Sequence, residues 1–198
     1  MSVFISKMSV YRAQEAGASP KLEYVDPLFK RRLSQISRMT IEVVHNVKDF
    51  APESKLVFAS FRGEISRQLK INKTLIEDGA VLPASFSISV FNTPPAAASI
   101  ALSLKAGYTA VYPSGGNFKN ALISAAAPVF CNSEEKVIFA YADEAVPSEY
   151  KNVIGYSENN GLAFACILSS VQTEDSKELD LTFDFNSPDD FIKSYGKD

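Results

Sequence analysis

The sequence predicts a layered α/β fold around a mainly parallel central sheet, and three observations carry that reading. The runs Leu56–Ala59 and Val137–Tyr141 are short, continuously apolar and do not alternate, as befits strands buried on both faces. Helical segments separate the strand segments along the chain, the order that builds crossover units on a parallel sheet. The chain has 198 residues, 46% hydrophobic and 22% charged, which suffices for one substantial core and is too short for two ordinary ones.

In chain order, Ser2 to Tyr11 alternates loosely through Val3, Ile5 and Val10 and reads as a first strand. A turn-rich stretch from Gly17 leads to Asp26-Pro27, an acid at a helix N-cap followed by a first-turn proline. The spacing then predicts one helix to about Val47, with Leu28, Leu33, Ile36, Met39, Val43 and Val47 along one face. After the Leu56 strand, a helix starts beyond Gly63 and ends at Asp78, with Gly79 as its C-terminal glycine. Ser85 to Val90 alternates and reads as extended. Asn92 precedes an alanine-rich helix with prolines in its first turn, where no amide partner is lost. Thr109 to Tyr112 is predicted as a strand, and Asn117 to Ala127 as a helix stopped by Pro128. Leu162–Val171 and Leu179–Phe185 are predicted as further strands, with a charged hairpin turn at 174–178. Residues 1–188 are read as a single domain and 189–198 as a frayed, weakly helical tail.

Net charge is −3 with both signs mixed, which provides no phosphate-neutralising surface and argues against a nucleic-acid partner. The exception is the cluster Lys30, Arg31, Arg32 and Arg38, either a solvated helix face or a docking spot for an acidic protein. The sequence shows no apolar run of membrane-spanning length and no leader-like start, so a soluble cytoplasmic protein is expected. Cys131 and Cys166 lie in apolar surroundings without metal-ligand spacing and are expected to be buried and reduced. No cofactor or metal is expected. His45 is the only histidine and falls late in the first helix, as a surface residue.

The segment Ser85 to Ala121 has a strand, an asparagine opening an Ala-rich helix, Gly107, a short strand and a turn into another helix. That arrangement resembles the N-terminal half of a β-ketoacyl synthase. Leu28 to Val44, Lys55 to Arg67 and Lys136 to Tyr150 extend the likeness over roughly residues 1–170. Together they are similar to the chain length factors associated with aryl polyene and other type II polyketide or fatty-acid-like assembly. Two departures stand out: Ser89-Val90-Phe91-Asn92 where relatives usually have S-V-H-N, and Pro94-Pro95-Ala96-Ala97 in place of a glycine-containing turn. The resemblance implies half of a thiolase-like fold. By the family's spacing from Gly107, the nucleophilic cysteine falls at Gly116. A condensing enzyme needs a thiolate at a helix N-terminus and histidines to drive decarboxylation. Neither Cys131 nor Cys166 is placed to serve, and the histidines belong to a second half that this length does not accommodate.

What the resemblance implies is therefore a non-catalytic subunit that pairs with a full-length β-ketoacyl-ACP synthase. Val90, Phe91, Pro94, Pro95 and Ala98 fall where the family's acyl tunnel and chain-length gate lie, and Asn92, Thr109, Val111 and Tyr112 where its dimer interface lies. A half-fold standing alone is expected to expose an apolar face that a partner covers. An acidic acyl carrier protein would meet Lys30, Arg31, Arg32 and Arg38. Two alternatives remain. One is a serine acyltransferase or hydrolase using Ser114, although P-S-G-G lacks the G-x-S-x-G elbow and the lone histidine precedes it. The other is a stand-alone acyl-binding protein.

Overall fold

The computed structural model describes residues 2–153 and 160–196. Its elements in chain order are β1 (Phe4–Arg12), α1 (Pro27–Lys30), α2 (Gln35–His45), β2 (Lys55–Ala59), α3 (Ile65–Asp78), α4 (Pro83–Ser87) and α5 (Thr93–Ala101). They continue with β3 (Tyr108–Val111), α6 (Phe118–Phe130), β4 (Lys136–Glu144), β5 (Gly161–Ser169), β6 (Lys177–Glu178) and α7 (Pro188–Tyr195). The strands form one mixed sheet in the order β3-β2-β4-β5-β1-β6. β2 is parallel to both β3 and β4, while β5 is antiparallel to both β4 and β1. β1 to β4 thus all point the same way, and the C-terminal ends of β2, β3 and β4 lie on one side of the molecule.

The sheet's two faces are packed differently. α2 and α5 cover one with aliphatic and small side chains: Ile36, Met39, Val43 and Val44 of α2, and Ala97 and Ala98 of α5, meet Ile138, Ala140 and Ala165. α6 and α7 cover the other with aromatics. Phe118, Phe139, Phe164 and Phe191 are fully buried there, and their rings meet at centroid distances of 5.3–6.3 Å, within the range of favourable ring pairs.

Several sequence expectations need correction. The first helix is two. Arg31 to Ser34 interrupts it, because Ser34 adopts an extended conformation (φ −74°, ψ 172°) and caps α2 by accepting from the Ser37 amide at 3.2 Å; Leu28 consequently points to solvent, 69% exposed. Ser85 to Val90 is not extended. Its alternating serines fold back on helical carbonyls, Ser87 Oγ to Ala84 O at 3.0 Å and Ser89 Oγ to Phe86 O at 2.8 Å. Pro128 does not stop α6 but lies in its last turn, where a missing amide costs one bond; the chain leaves the helix at Asn132, whose φ is 55°.

Leu179 to Phe185 is not a strand either. Asp180 accepts from the Thr182 amide and hydroxyl at 2.8 and 2.6 Å, a local turn that competes with sheet pairing. Only Lys177–Glu178 joins the sheet. The expected frayed tail is a docked helix: α7 begins with a reciprocal Ser187–Asp190 capping box and buries Phe191 completely. Residues 197–198 of that tail lie outside the described residues. α7 and the segment before it lay Leu179, Phe185 and Phe191 on the aromatic face, which is therefore covered within this chain instead of being left open. Cys131, expected in the core, is exposed just past α6, whereas Cys166 on β5 is fully buried and its thiol is pushed well up by burial.

Candidate functional site

The strands' C-terminal ends carry two turns of opposite character. After β3, Pro113 is buried, and Ser114, Gly115 and Gly116 form an exposed single turn leading to α6. Gly115 and Gly116 take φ of 65° and 69°, a left-handed region that strains residues with a Cβ. Asn117 caps α6 by accepting from the Lys119 amide at 2.8 Å, and Asn120 Nδ2 ties the turn by donating to Ser114 O at 2.7 Å. The Ser114 hydroxyl makes no hydrogen bond among the described residues. His45 does not approach it. Ser37, near the start of α2, sits at the strands' C-terminal ends, so His45, two turns further, lies toward the opposite end. There it stacks on Tyr24 at 3.8 Å and is half-buried, not a free surface residue. Ser114 therefore lacks the base that a hydrolytic triad needs.

After β2, the turn is filled with buried charge. Asp143, at the end of β4 and 4% exposed, accepts from Ser60 Oγ at 2.6 Å, from the Phe61 and Arg62 amides at 3.2 and 3.1 Å, and from the Tyr141 hydroxyl at 2.5 Å. Arg62 Nη1 stands 3.9 Å from Oδ2, the oxygen that accepts from Tyr141. Ser60 Oγ in turn accepts the Gly63 amide at 2.7 Å. Glu64, 1% exposed, accepts from the Ser34 and Ser37 hydroxyls at 2.7 and 2.9 Å, and its second oxygen faces Arg67 Nε at 3.4 Å. Glu144 accepts the Ser66 amide at 2.9 Å near the start of α3. Burial raises the pKa of all three carboxyls against these donors. Glu144 is pushed up to about 7 by burial, opposed by the Ser66 bond and reinforced by the charge of Glu64. Among the described residues no three such groups converge as metal ligands. The network binds the starts of α2 and α3 to the ends of β2 and β4. A cleft of about 570 Å³ joins the two turns, with Gly116, Phe61, Arg62, Tyr141 and Asp143 among its walls.

Sequence reasoning missed this network. Its signal was present in Ala142-Asp143-Glu144, two acids closing a fully apolar run, and in Glu64 beside Gly63.

The residues expected at the chain-length gate are brought together only in part. Phe91 leans on the turn after β2: a Cβ placed on Gly63 (φ 57°) would lie 2.9 Å from Phe91 Cδ2. The same ring sits 6.5 Å from that of Phe58. Val90 is half-buried, Pro94 and Pro95 are buried, and Ala98 lies wholly inside the core between α5 and α2. Asn92 occupies the N-cap of α5, but its side chain donates to Tyr108 Oη at 3.3 Å instead of capping. β3 is an edge strand with one unpaired side. Thr109 and Tyr112 are exposed there, and Val111 is half-buried against the aromatic core. Of the basic cluster, Lys30 Nζ donates to Leu22 O at 3.3 Å and Arg38 Nη2 to Lys30 O at 3.0 Å, whereas Arg31 and Arg32 point outward.

Residues 6–190 match the family described as β-ketoacyl synthase, N-terminal domain. The chain belongs to that family. Among solved structures, the chain is similar to the ketosynthase (ApeO) in complex with its chain length factor (ApeC) from Xenorhabdus doucetiae. The TM-score is 0.67 at 20% identity, over 86% of this chain and 80% of that one. A β-ketoacyl synthase from Burkholderia phymatum STM815 matches at TM-score 0.61 and 13% identity, over 86% of this chain and 59% of that one. The ishigamide ketosynthase/chain length factor matches at 0.58 and 12%, over 88% and 64%. The domain thus spans less than two thirds of those two chains. No curated protein matches it. These likenesses establish a thiolase-like ketosynthase fold. Among the described residues no helix is long and apolar enough to cross a membrane.

Proposed function

We propose that this chain is a chain length factor: a non-catalytic subunit that pairs with a full-length β-ketoacyl-ACP synthase and shapes its acyl tunnel in polyene or fatty-acid-like biosynthesis. The observation that carries the reading is the turn after β3. Where the family places a thiolate at a helix N-terminus, this chain has Gly116 in a left-handed conformation, with no histidine at that end of the sheet. The likeness to solved structures of a ketosynthase with its chain length factor supports the pairing. The free edge of β3 supports its location, since an unpaired strand edge invites another chain. Ile100 and Tyr112 add apolar surface beside it, 68% and 59% exposed. An acidic acyl carrier protein would meet Arg31 and Arg32, because Lys30 and Arg38 are occupied by carbonyls of this chain.

Two variants of the reconstituted pair test the reading. Thr109→Asp places a charge on the exposed β3 edge without entering the core, and should abolish co-purification with the ketosynthase. Phe91→Ala removes the ring beside Gly63 and should lengthen or broaden the carrier-bound products seen by mass spectrometry, with turnover changed little. Ala98 is a poorer probe, since a larger side chain there would overpack the core. Co-purification of the Thr109 variant would move the interface elsewhere, and an unchanged product ladder for the Phe91 variant would remove that ring from the gate.

A further inference from the structure

The turn after β3 and the cleft beside it leave one built feature unused. Between the Arg31–Arg32 stretch, one side of α3 and residues 81–88 runs a groove of about 480 Å³, within the usual span of small-molecule sites (about 300–1,000 Å³). One wall is cationic: Arg31, Arg32, Arg67 and Lys70. The other is apolar: Ile71, Val81, Leu82 and Ile88. No acid lines it, although the chain has 23 acidic residues against 20 basic ones.

The cations fall into two groups. Arg67 is committed to structure. Its Nη1 donates to Ile88 O at 2.7 Å, its Nη2 to the Arg32 carbonyl, and its Nε faces Glu64 at 3.4 Å, so one guanidinium fixes three walls. The side chains of Arg31, Arg32 and Lys70 make no hydrogen bond or ion pair among the described residues. Three like charges held at one groove repel one another and are relieved by an anion. Beside them, Leu82 is 71% exposed, and α3 buries none of its side chains, so the apolar wall faces solvent.

We infer that this groove binds a single-chain anionic amphiphile, an alkyl chain with a phosphate or carboxylate head. The head is held by Arg31, Arg32 and Lys70, and the tail lies along Ile71, Val81, Leu82 and Ile88. Guanidinium groups suit such heads because they donate two parallel hydrogen bonds to one oxyanion, and a short alkyl tail gains from leaving water along the apolar wall. The groove shares no lining residue with the Gly116 cleft, and its Arg31 and Arg32 are the pair proposed above to meet a carrier protein.

The test is calorimetric titration of the full chain with laurate and with monododecyl phosphate, both below their micellar concentrations. Dodecyl maltoside serves as the control with the same tail and an uncharged head. Both anions should bind one to one, more weakly as salt rises, and the maltoside should not. Arg31→Gln and Arg32→Gln should each weaken binding by roughly tenfold, the loss of one charge-assisted bond. Leu82→Asp should abolish binding, and thermal melting should be unchanged in all three because these side chains are exposed. Binding of laurate alone would assign the groove to carboxylate heads, and of dodecyl phosphate alone to phosphate heads, either of which upholds the site. Equal binding of the maltoside, or anion binding indifferent to both arginine variants, would overturn it. So would failure of both anions where an acidic amphipathic peptide binds, which would make the groove a protein-docking surface.

Discussion

The turn after β2 and the turn after β3 leave the same side of the same sheet, one strand apart, yet one is dense with buried charge and the other is bare. At the first, Asp143 gathers four donors, and Glu64 and Glu144 anchor the starts of two helices. At the second, two left-handed glycines stand in the open, and a Cβ on either would touch nothing. The β2 turn is built around buried structural charges, whereas the β3 turn presents only the exposed Ser114 hydroxyl and two glycines. Perturbed carboxyls in a cleft usually invite a catalytic reading. Here burial raises the three carboxyls and the donors around each oppose that shift while fixing it in place, which accounts for them as architecture.

The largest effect should come from the charged turn. Asp143→Ala leaves the Ser60 hydroxyl, two amides and the Tyr141 hydroxyl without their acceptor, and should cost roughly 3–5 kcal/mol in urea denaturation. A loss below 1 kcal/mol would mean that water replaces the carboxylate and that the turn is not buried as described. Glu144→Gln should alter a pH profile more than a single stability value. Burial lifts Glu144 from an ordinary 4.5 to about 7. Its contribution is therefore fully present below about pH 4.5 and is lost as pH rises to about 7. Replacing it with Gln should flatten the stability curve across that window, and an unchanged slope there would show that Glu144 does not titrate in it. At the bare turn the effect is smallest. Gly116→Ala meets no neighbour and should cost only the left-handed strain, about 1–2 kcal/mol. Gly116→Cys should cost the same and yield no condensing activity in the isolated chain.

The difference between the two turns also marks what the sequence could convey. The bare turn was legible, because Pro113-Ser114-Gly115-Gly116 is local chemistry: glycines for positive φ and Asn117 for a helix cap. The buried strands were legible for the same reason, as apolar runs with no alternation. The charged turn was not, because Asp143 and Ser60 are 83 residues apart and meet only through the parallel pairing of β2 with β4. The errors at Ser85–Val90 and Leu179–Phe185 have one cause. Alternation predicts a strand only where a neighbouring strand is available, and here serine and aspartate side chains satisfied the backbone locally. α7 is hard to read from sequence because Phe191 sits in a short, charge-rich stretch and its burial depends on an aromatic face assembled from β4, β5 and α6.

The central claim, that the β3 turn carries no acyl chemistry, is tested most directly by intact-protein mass spectrometry. The reconstituted pair would be incubated with an acyl primer and a malonyl carrier protein. We expect an acyl adduct on the ketosynthase subunit alone and this chain at its unmodified mass throughout turnover. An acyl adduct on this chain that maps to Ser114 and disappears in Ser114→Ala would contradict the account.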